Sequence, residues 1–181
     1  MPDDGRPHLY LGTSLTPREY YARHARNYDN PHAEGIATVL EQLAAHLHGT
    51  VLDLGCGDGL ATKLLAGRAD LAFVGADLAP GMVGRYRTET GCPAVVAGFG
   101  DALPACDSAV SCYAMHLATS AEAALMWWRL ADAGARVVAV VTPFKQRPAD
   151  PGHYFALELA VKGPHGPDGK TIHGRLYRRT D

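Results

Sequence analysis

The sequence predicts an α/β fold, a doubly wound and mostly parallel sheet of about seven strands that ends in an antiparallel hairpin and is preceded by helices. Three observations predict it. From Thr50 to Thr142, short apolar or β-branched runs alternate with helical patterns, and such alternation requires crossover units and parallel pairing. The first run hands over to a helix through Gly55, Gly57 and Gly59, a tight turn of the kind that brings backbone close to a ligand. The last two runs flank "PHGPDG", a connection that makes a hairpin.

The elements follow in order. Residues 1–15 are rich in Pro, Gly and charge and read as a flexible arm. "TPREYYARHARNYDN" places Thr16 to cap and Pro17 at the first helical position, so a helix is expected over 16–30. Ile36, Val39, Leu40, Leu43 and Leu47 recur at helical spacing in a second helix that ends at Gly49. Then come strand "TVLDL" (50–54), helix "GLATKLLAGRA" (59–69), strand "LAFVGAD" (71–77) and helix "APGMVGRYRTETG" (79–91). Strands "PAVVAG" (93–98) and "DSAVSCYAM" (107–115) precede helix "SAEAALMWWRLADAG" (120–134) and strand "ARVVAVVT" (135–142). The hairpin strands are 153–163 and 170–179. The chain thus divides into the arm and one domain over 16–181: helices to 49, a ligand-binding core over 50–142 and a terminal hairpin over 143–181.

Composition excludes several classes. A net charge of −2 gives no broad basic surface for nucleic acid or anionic membrane, so neither is expected as a partner. No apolar run approaches the ~20 residues that span a bilayer. Four scattered cysteines and a start without an apolar leader imply a cytoplasmic protein. His8, His32, His46, His48, His153, His165 and His173 form no metal-ligand pattern, so no metal is expected. Trp127 and Trp128 should divide between core and surface, and Arg175, Arg178 and Arg179 read as a solvated strand edge.

The chemistry lies at the carboxyl ends of the first two strands, where open parallel sheets bind ligands. The glycine spacing is G-x-G-x-G, and Asp53 sits two residues before the first glycine. A carboxylate there repels a pyrophosphate and suits an ammonium group, which disfavours a nicotinamide dinucleotide. At the end of the second strand Asp77 is placed to accept from both hydroxyls of a ribose, and Leu78 to pack on a purine. An amino-acid end at the first loop and a ribose at the second describe S-adenosylmethionine.

"VLDLGCGDG" together with "VGADLAPGMV" resembles the class I, Rossmann-like S-adenosylmethionine-dependent methyltransferases, over roughly Val51 to Thr142. The resemblance implies that Asp53, Gly55 and Gly57 face the methionine part of the cofactor and Asp77 its ribose. Cys56 lies in the same loop as a small packing residue. The family often has an acid before Leu-Pro that meets the adenine; here "AGFGDALP" puts Phe99 at that place and Asp101 two residues later, beside Gly100. Either Asp101 takes the role through a shifted loop, or Phe99 packs on the adenine and backbone N–H groups read it. "CYAMHLA" supplies Tyr113 and His116, His116 being either the general base or part of the cofactor wall. The resemblance lays the first helix over the methionine end, with Tyr21 and Tyr28 near the acceptor.

The activity implied is methyl transfer to a small-molecule acceptor. Two alternatives remain: an RNA or protein methyltransferase that relies on a partner, and a cofactor-binding module without catalysis. No pattern in the chain sets an oligomeric state.

Overall fold

The structure, a computed structural model, describes residues 15–26, 30–143, 148, 150–167 and 169–181. Two short helices lead, α1 (Pro17–His24) and α2 (Ala33–Ala44). The sheet and its crossovers follow as β1 (Gly49–Leu54), α3 (Leu60–Leu65), β2 (Leu71–Asp77), α4 (Pro80–Thr90), β3 (Ala94–Val96), β4 (Ser108–Cys112), α5 (Ser120–Asp132), β5 (Val137–Pro143), β6 (Phe155–His165) and β7 (Thr171–Arg179). The sheet is seven-stranded in the order β3-β2-β1-β4-β5-β7-β6. β3, β2, β1, β4 and β5 are parallel, with Asp53 level with Gly75 and Val110, so the carboxyl ends of β1, β2 and β4 share one edge. β7 inserts antiparallel between β5 and β6.

Both faces of the sheet are covered, which is why β5 is buried along almost its whole length. Val138 and Val140 face a core built with Leu52, Leu54, Met126, Trp127 and Leu130 under α5. Val137, Ala139 and Val141 face the opposite core, where α2 lays Ile36, Val39, Leu40 and Leu43 on the sheet. Among the described residues no helix is long and apolar enough to cross a membrane.

Four expectations are corrected. Helix α1 is shorter than 16–30 and ends at His24; Tyr28 lies outside the described residues. Helix α3 spans six residues, not the eleven of 59–69, because the chain after Ala66 turns so that the Arg68 guanidinium donates to the Ala44 carbonyl. The run 107–115 is a strand only to Cys112: Tyr113 takes a left-handed conformation (φ 59°) and the chain enters a 3-10 turn, Met115–Leu117. The three arginines do not lie on a sheet edge, since β7 is an inner strand, though Arg178 is solvated as expected. Arg175 is 8 % exposed and donates to Thr142 Oγ1, and Arg178 and Arg179 pair with Glu158 and Asp181.

The tryptophans divide as expected. Trp127 is 1 % exposed and its ring meets Phe155 (5.5 Å) and Tyr177 (5.0 Å), joining α5 to the hairpin, whereas Trp128 is 38 % exposed beneath Arg129. Trp127→Ala should therefore cost about 3–5 kcal/mol of stability, the range for emptying a large aromatic site, and Trp128→Ala about 1 kcal/mol or less. Urea denaturation followed by circular dichroism measures both, and equal losses would contradict the packing.

Candidate cofactor and acceptor site

The β1–α3 turn is lashed to the end of β2. The N–H groups of Gly55 and Cys56 both donate to the Ala76 carbonyl (2.8 and 3.0 Å), and that of Gly57 donates to Asp77 Oδ2 (3.0 Å). Asp77 Oδ1 accepts from the Ala79 N–H (2.9 Å) at the start of α4. One carboxylate thus spans two loops.

The three glycines serve different ends. A Cβ at Gly55 would lie 2.2 Å from Ala114 Cβ, and one at Gly59 2.4 Å from Thr90 Cγ2 and 3.2 Å from the Tyr86 ring. At Gly57, whose φ is +51°, a Cβ would meet nothing within 4 Å. At Gly57 alone of the three would a side chain find open space; Gly55 and Gly59 are packed against Ala114 and Thr90.

That space is part of a cavity of about 300 Å³. Its lining brings together Leu54, Gly55 and Gly57 of the turn, Asp77 and Leu78 after β2, Met82 of α4, Gly98 and Phe99, and Cys112, Tyr113 and Ala114. Thr16, Arg18 and Tyr21 at the start of α1 line it too, with Leu117, Thr119 and Glu122. Capping boxes fix both helix starts here: Thr16 with Glu19 and Thr119 with Glu122. Tyr21 packs on a small apolar cluster of Ala25, Ala79 and Met82, which seats α1 against α4.

Of the residues expected at the site, Gly55, Gly57, Asp77, Leu78, Phe99, Tyr113 and Tyr21 line this cavity. Asp53, Cys56, Gly100, Asp101 and His116 do not. Asp53 is buried directly behind the turn, and Cys56 is buried against Tyr86 and Val83. Asp101 closes its own turn, its carboxylate accepting from the Gly98 N–H (2.7 Å), while the Gly100 carbonyl accepts from Arg129 Nε. His116 lies behind Tyr113, their ring centroids 6.0 Å apart, and its Nδ1 has no hydrogen-bond partner among the described residues. The His32 ring stacks on Tyr113 at 4.8 Å. Tyr113 is the one non-glycine residue at positive φ among those described, strain of the kind held at ligand sites. Sequence reading missed Arg18, Met82, Cys112 and Glu122: Met82 and Cys112 lie within "VGADLAPGMV" and "CYAMHLA" but were given no role, and Glu122 carried only the Thr-x-x-Glu capping pattern at Thr119.

Burial sets the electrostatics. It pushes the Asp53 carboxyl up to about 7, against two hydrogen bonds from Thr62, and the anions Asp77 and Asp58 add to the rise. It raises Asp77 as well, opposed by the Ala79 and Gly57 N–H groups. The Cys56 and Cys112 thiols are pushed far up, so neither is a nucleophile near neutrality. His116 is pushed down to about 4 by burial and is neutral at pH 7. Among the described residues no group of His, Cys, Asp and Glu side chains is set to hold a metal ion.

A family model described as a methyltransferase domain matches residues 51–141, half of the chain. The chain belongs to the class I S-adenosylmethionine-dependent methyltransferases. Solved structures share its fold. The N-methyltransferase NodS from Bradyrhizobium japonicum WM9, in complex with S-adenosyl-L-homocysteine, aligns with TM-score 0.73 at 13 % identity over 91 % of this chain and 98 % of that one. The magnesium protoporphyrin IX methyltransferase from Synechocystis PCC 6803, with bound S-adenosylmethionine, gives 0.69 at 16 % over 90 % and 95 %. A putative methyltransferase of Haloferax volcanii, in complex with the activator Trm112, gives 0.70 at 15 % over 91 % and 98 %. No curated protein matches the chain significantly.

This methyltransferase should carry a pH-dependent instability at Asp53. In the unfolded chain the carboxyl releases its proton near 4, in the folded one near 7. Between those values the folded state holds more protons, so stability falls as pH rises from about 4 to about 7 and is level above. Asp53→Asn should therefore raise the stability of the ligand-free protein by a few kcal/mol at pH 8 and far less at pH 5. Urea titrations at the two pH values measure this; a gain independent of pH would rule it out.

Proposed function

We propose that the chain transfers the methyl group of S-adenosylmethionine to a small-molecule acceptor. The observation that carries the reading is the cavity, whose lining joins the glycine turn and Asp77 to residues of α1. Gly57 leaves open space for a ligand, and Asp77 stands where one carboxylate can serve two hydroxyls while holding its own N–H donors. Thr16, Arg18 and Tyr21 of α1, a helix seated on α4, border the same cavity, which favours a compact acceptor over a folded macromolecule.

Bound here, S-adenosylmethionine supplies a methyl group already activated on a sulfonium. The protein's residues then position, exclude water and, where needed, take a proton. In this reading Gly55 and Gly57 receive the methionine end with the Asp53 carboxylate behind them, Asp77 the ribose, and Leu78 and Phe99 the adenine faces. Asp101 is engaged by Gly98, which favours Phe99 packing with backbone reading over a shifted acid. Tyr113, fixed in its left-handed conformation beside His32 and His116, and Tyr21 on α1 border the acceptor. Tyr28 is proposed beside Tyr21 on sequence spacing alone. A cytoplasmic setting belongs to the same reading.

Incubating the protein with S-adenosylmethionine and an unbiased metabolite set, and reading released S-adenosylhomocysteine, tests the acceptor class. Release with small molecules is expected, and Asp77→Ala should suppress it while weakening S-adenosylhomocysteine binding by about 2–4 kcal/mol. Methyl label that instead enters only protein or RNA of a cell extract would replace the small-molecule reading, and full-strength binding by Asp77→Ala would remove Asp77 from the site.

His116 is proposed as a support of the cofactor wall, behind Tyr113. An imidazole pushed down to about 4 is a weak proton acceptor at pH 7. His116→Ala should lower kcat less than about tenfold, with any loss shared by cofactor affinity. A fall of roughly 100- to 10,000-fold in kcat at unchanged affinity would instead establish it as the base.

A further inference from the structure

Behind the cofactor turn, a buried polar chain joins three elements. Asp53, at the end of β1, is 2 % exposed. Its Oδ2 accepts from the Thr62 N–H (3.3 Å) and from Thr62 Oγ1 (2.9 Å) on α3. Thr62 Oγ1 lies 2.8 Å from the Tyr86 hydroxyl on α4. No hydrogen bond reaches Asp53 Oδ1 among the described residues.

Each hydroxyl owns one proton. When Thr62 gives its proton to the ionised carboxylate, Tyr86 must be the donor to Thr62, so the chain has a single direction. The fold makes room for it. Tyr86 is wholly buried, and a Cβ at Gly75 would come within 2.8 Å of its ring, one at Gly59 within 3.2 Å. Two glycines on two elements therefore leave space for a ring whose one polar atom is committed to Thr62. A phenylalanine would fill that space equally well, so packing does not explain the hydroxyl.

We propose that Tyr86 and Thr62 are positioning residues for Asp53, a one-way relay that pins Oδ2 and keeps the carboxylate ionised behind the loop that receives the ammonium end of the cofactor. The proposal rests on the reading of S-adenosylmethionine as the ligand of this loop. Its physical need is plain. The charged groups acting on Asp53 are Asp77, on β2, and Asp58, in the turn, both anions, and the flanking Cys56 and Cys112 thiols stay neutral. Lys63 is engaged by Asp58 (3.2 Å) and Glu89 (2.7 Å). The Thr62 bonds are what hold the ionised form against burial and these anions. A donor behind Thr62 polarises its hydroxyl and strengthens the bond to the carboxylate. Losing that donor should move Asp53 ionisation, and with it cofactor capture, to higher pH.

The test is titration calorimetry of S-adenosylhomocysteine with the full chain from pH 5.5 to 8.5, alongside thermal melts of the ligand-free protein over the same range. Parent affinity should rise with pH and level off near 7. In Tyr86→Phe the levelling should move up by roughly half a pH unit or more, weakening binding at pH 6.5 by about threefold while leaving it near parent strength at pH 8.5. Thr62→Val should move it further, and Thr62→Ser, which keeps the hydroxyl, should retain the parent midpoint. The ligand-free melts should shift their pH dependence in the same direction, reporting Asp53 without the cofactor. A folded Tyr86→Phe with the parent's pH profile in both measurements overturns the relay and leaves the cofactor reading standing. Should Tyr86→Phe not fold, an identical midpoint in Thr62→Val and Thr62→Ser overturns it equally. A parent that binds no S-adenosylhomocysteine at any pH overturns the cofactor reading and the proposal with it.

Discussion

The site depends on one constraint, the fastening of the β1–α3 turn to the end of β2. Between Leu54 and Leu60 the chain must leave a buried strand and enter a helix in five residues. It does so through three left-handed glycines, each an entropic cost on folding. What offsets that cost is a set of directed hydrogen bonds: two N–H groups on the Ala76 carbonyl and one on Asp77. Because β1 and β2 are paired in register, Asp53 level with Gly75, this fastening fixes Asp53, Gly57 and Asp77 relative to one another.

Much of this was legible in the chain because it is local. The glycine turn, the acid before it and the acid closing the next strand are short-range signals, and alternating apolar runs dictate a covered parallel sheet. What was not legible is non-local or conformational. That β7 slides between β5 and β6 is a matter of strand order, which no run of residues encodes, and it turned three arginines from a presumed edge into an inner strand with Arg175 buried. Nothing in the letters "CYAM" says that Tyr113 adopts φ 59°, since tyrosine is not favoured there; the surroundings impose it. Thr62 and Tyr86 escaped because neither sits in the glycine motif, and only the fold brings residues 24 apart within 2.8 Å. The Phe99–Asp101 alternative needed coordinates for the same reason: whether an acid is available depends on what already engages it, here the Gly98 N–H.

The electrostatics are those of a site adapted to a cation. Asp53 and Asp77 are both buried, and burial raises the proton affinity of each, Asp53 to about 7 with the Asp77 anion adding to its rise. In the ligand-free protein this is a standing penalty, borne by the cores on both faces of the sheet. A buried anion that lacks a partner within the fold has its best partner in a ligand of opposite charge, which is how function is set against stability at such positions.

The same logic bears on the histidine. A donor that carries a sulfonium needs walls that do not become positive, and an ordinary imidazole near neutrality would be partly charged. Burial of His116 removes that possibility: at about 4 its conjugate acid is absent across the physiological range. Its unpartnered Nδ1 belongs to the same arrangement, for a carboxylate neighbour would have restored the charge. Tyr113, whose ring meets His116 edge-on, lines the cavity with Cys112 and Ala114, and the Cys112 thiol stays neutral. Charge enters the lining through Asp77, Arg18 and Glu122. Where the wall carries no charge, positioning alone can supply the rate of transfer from an activated sulfonium.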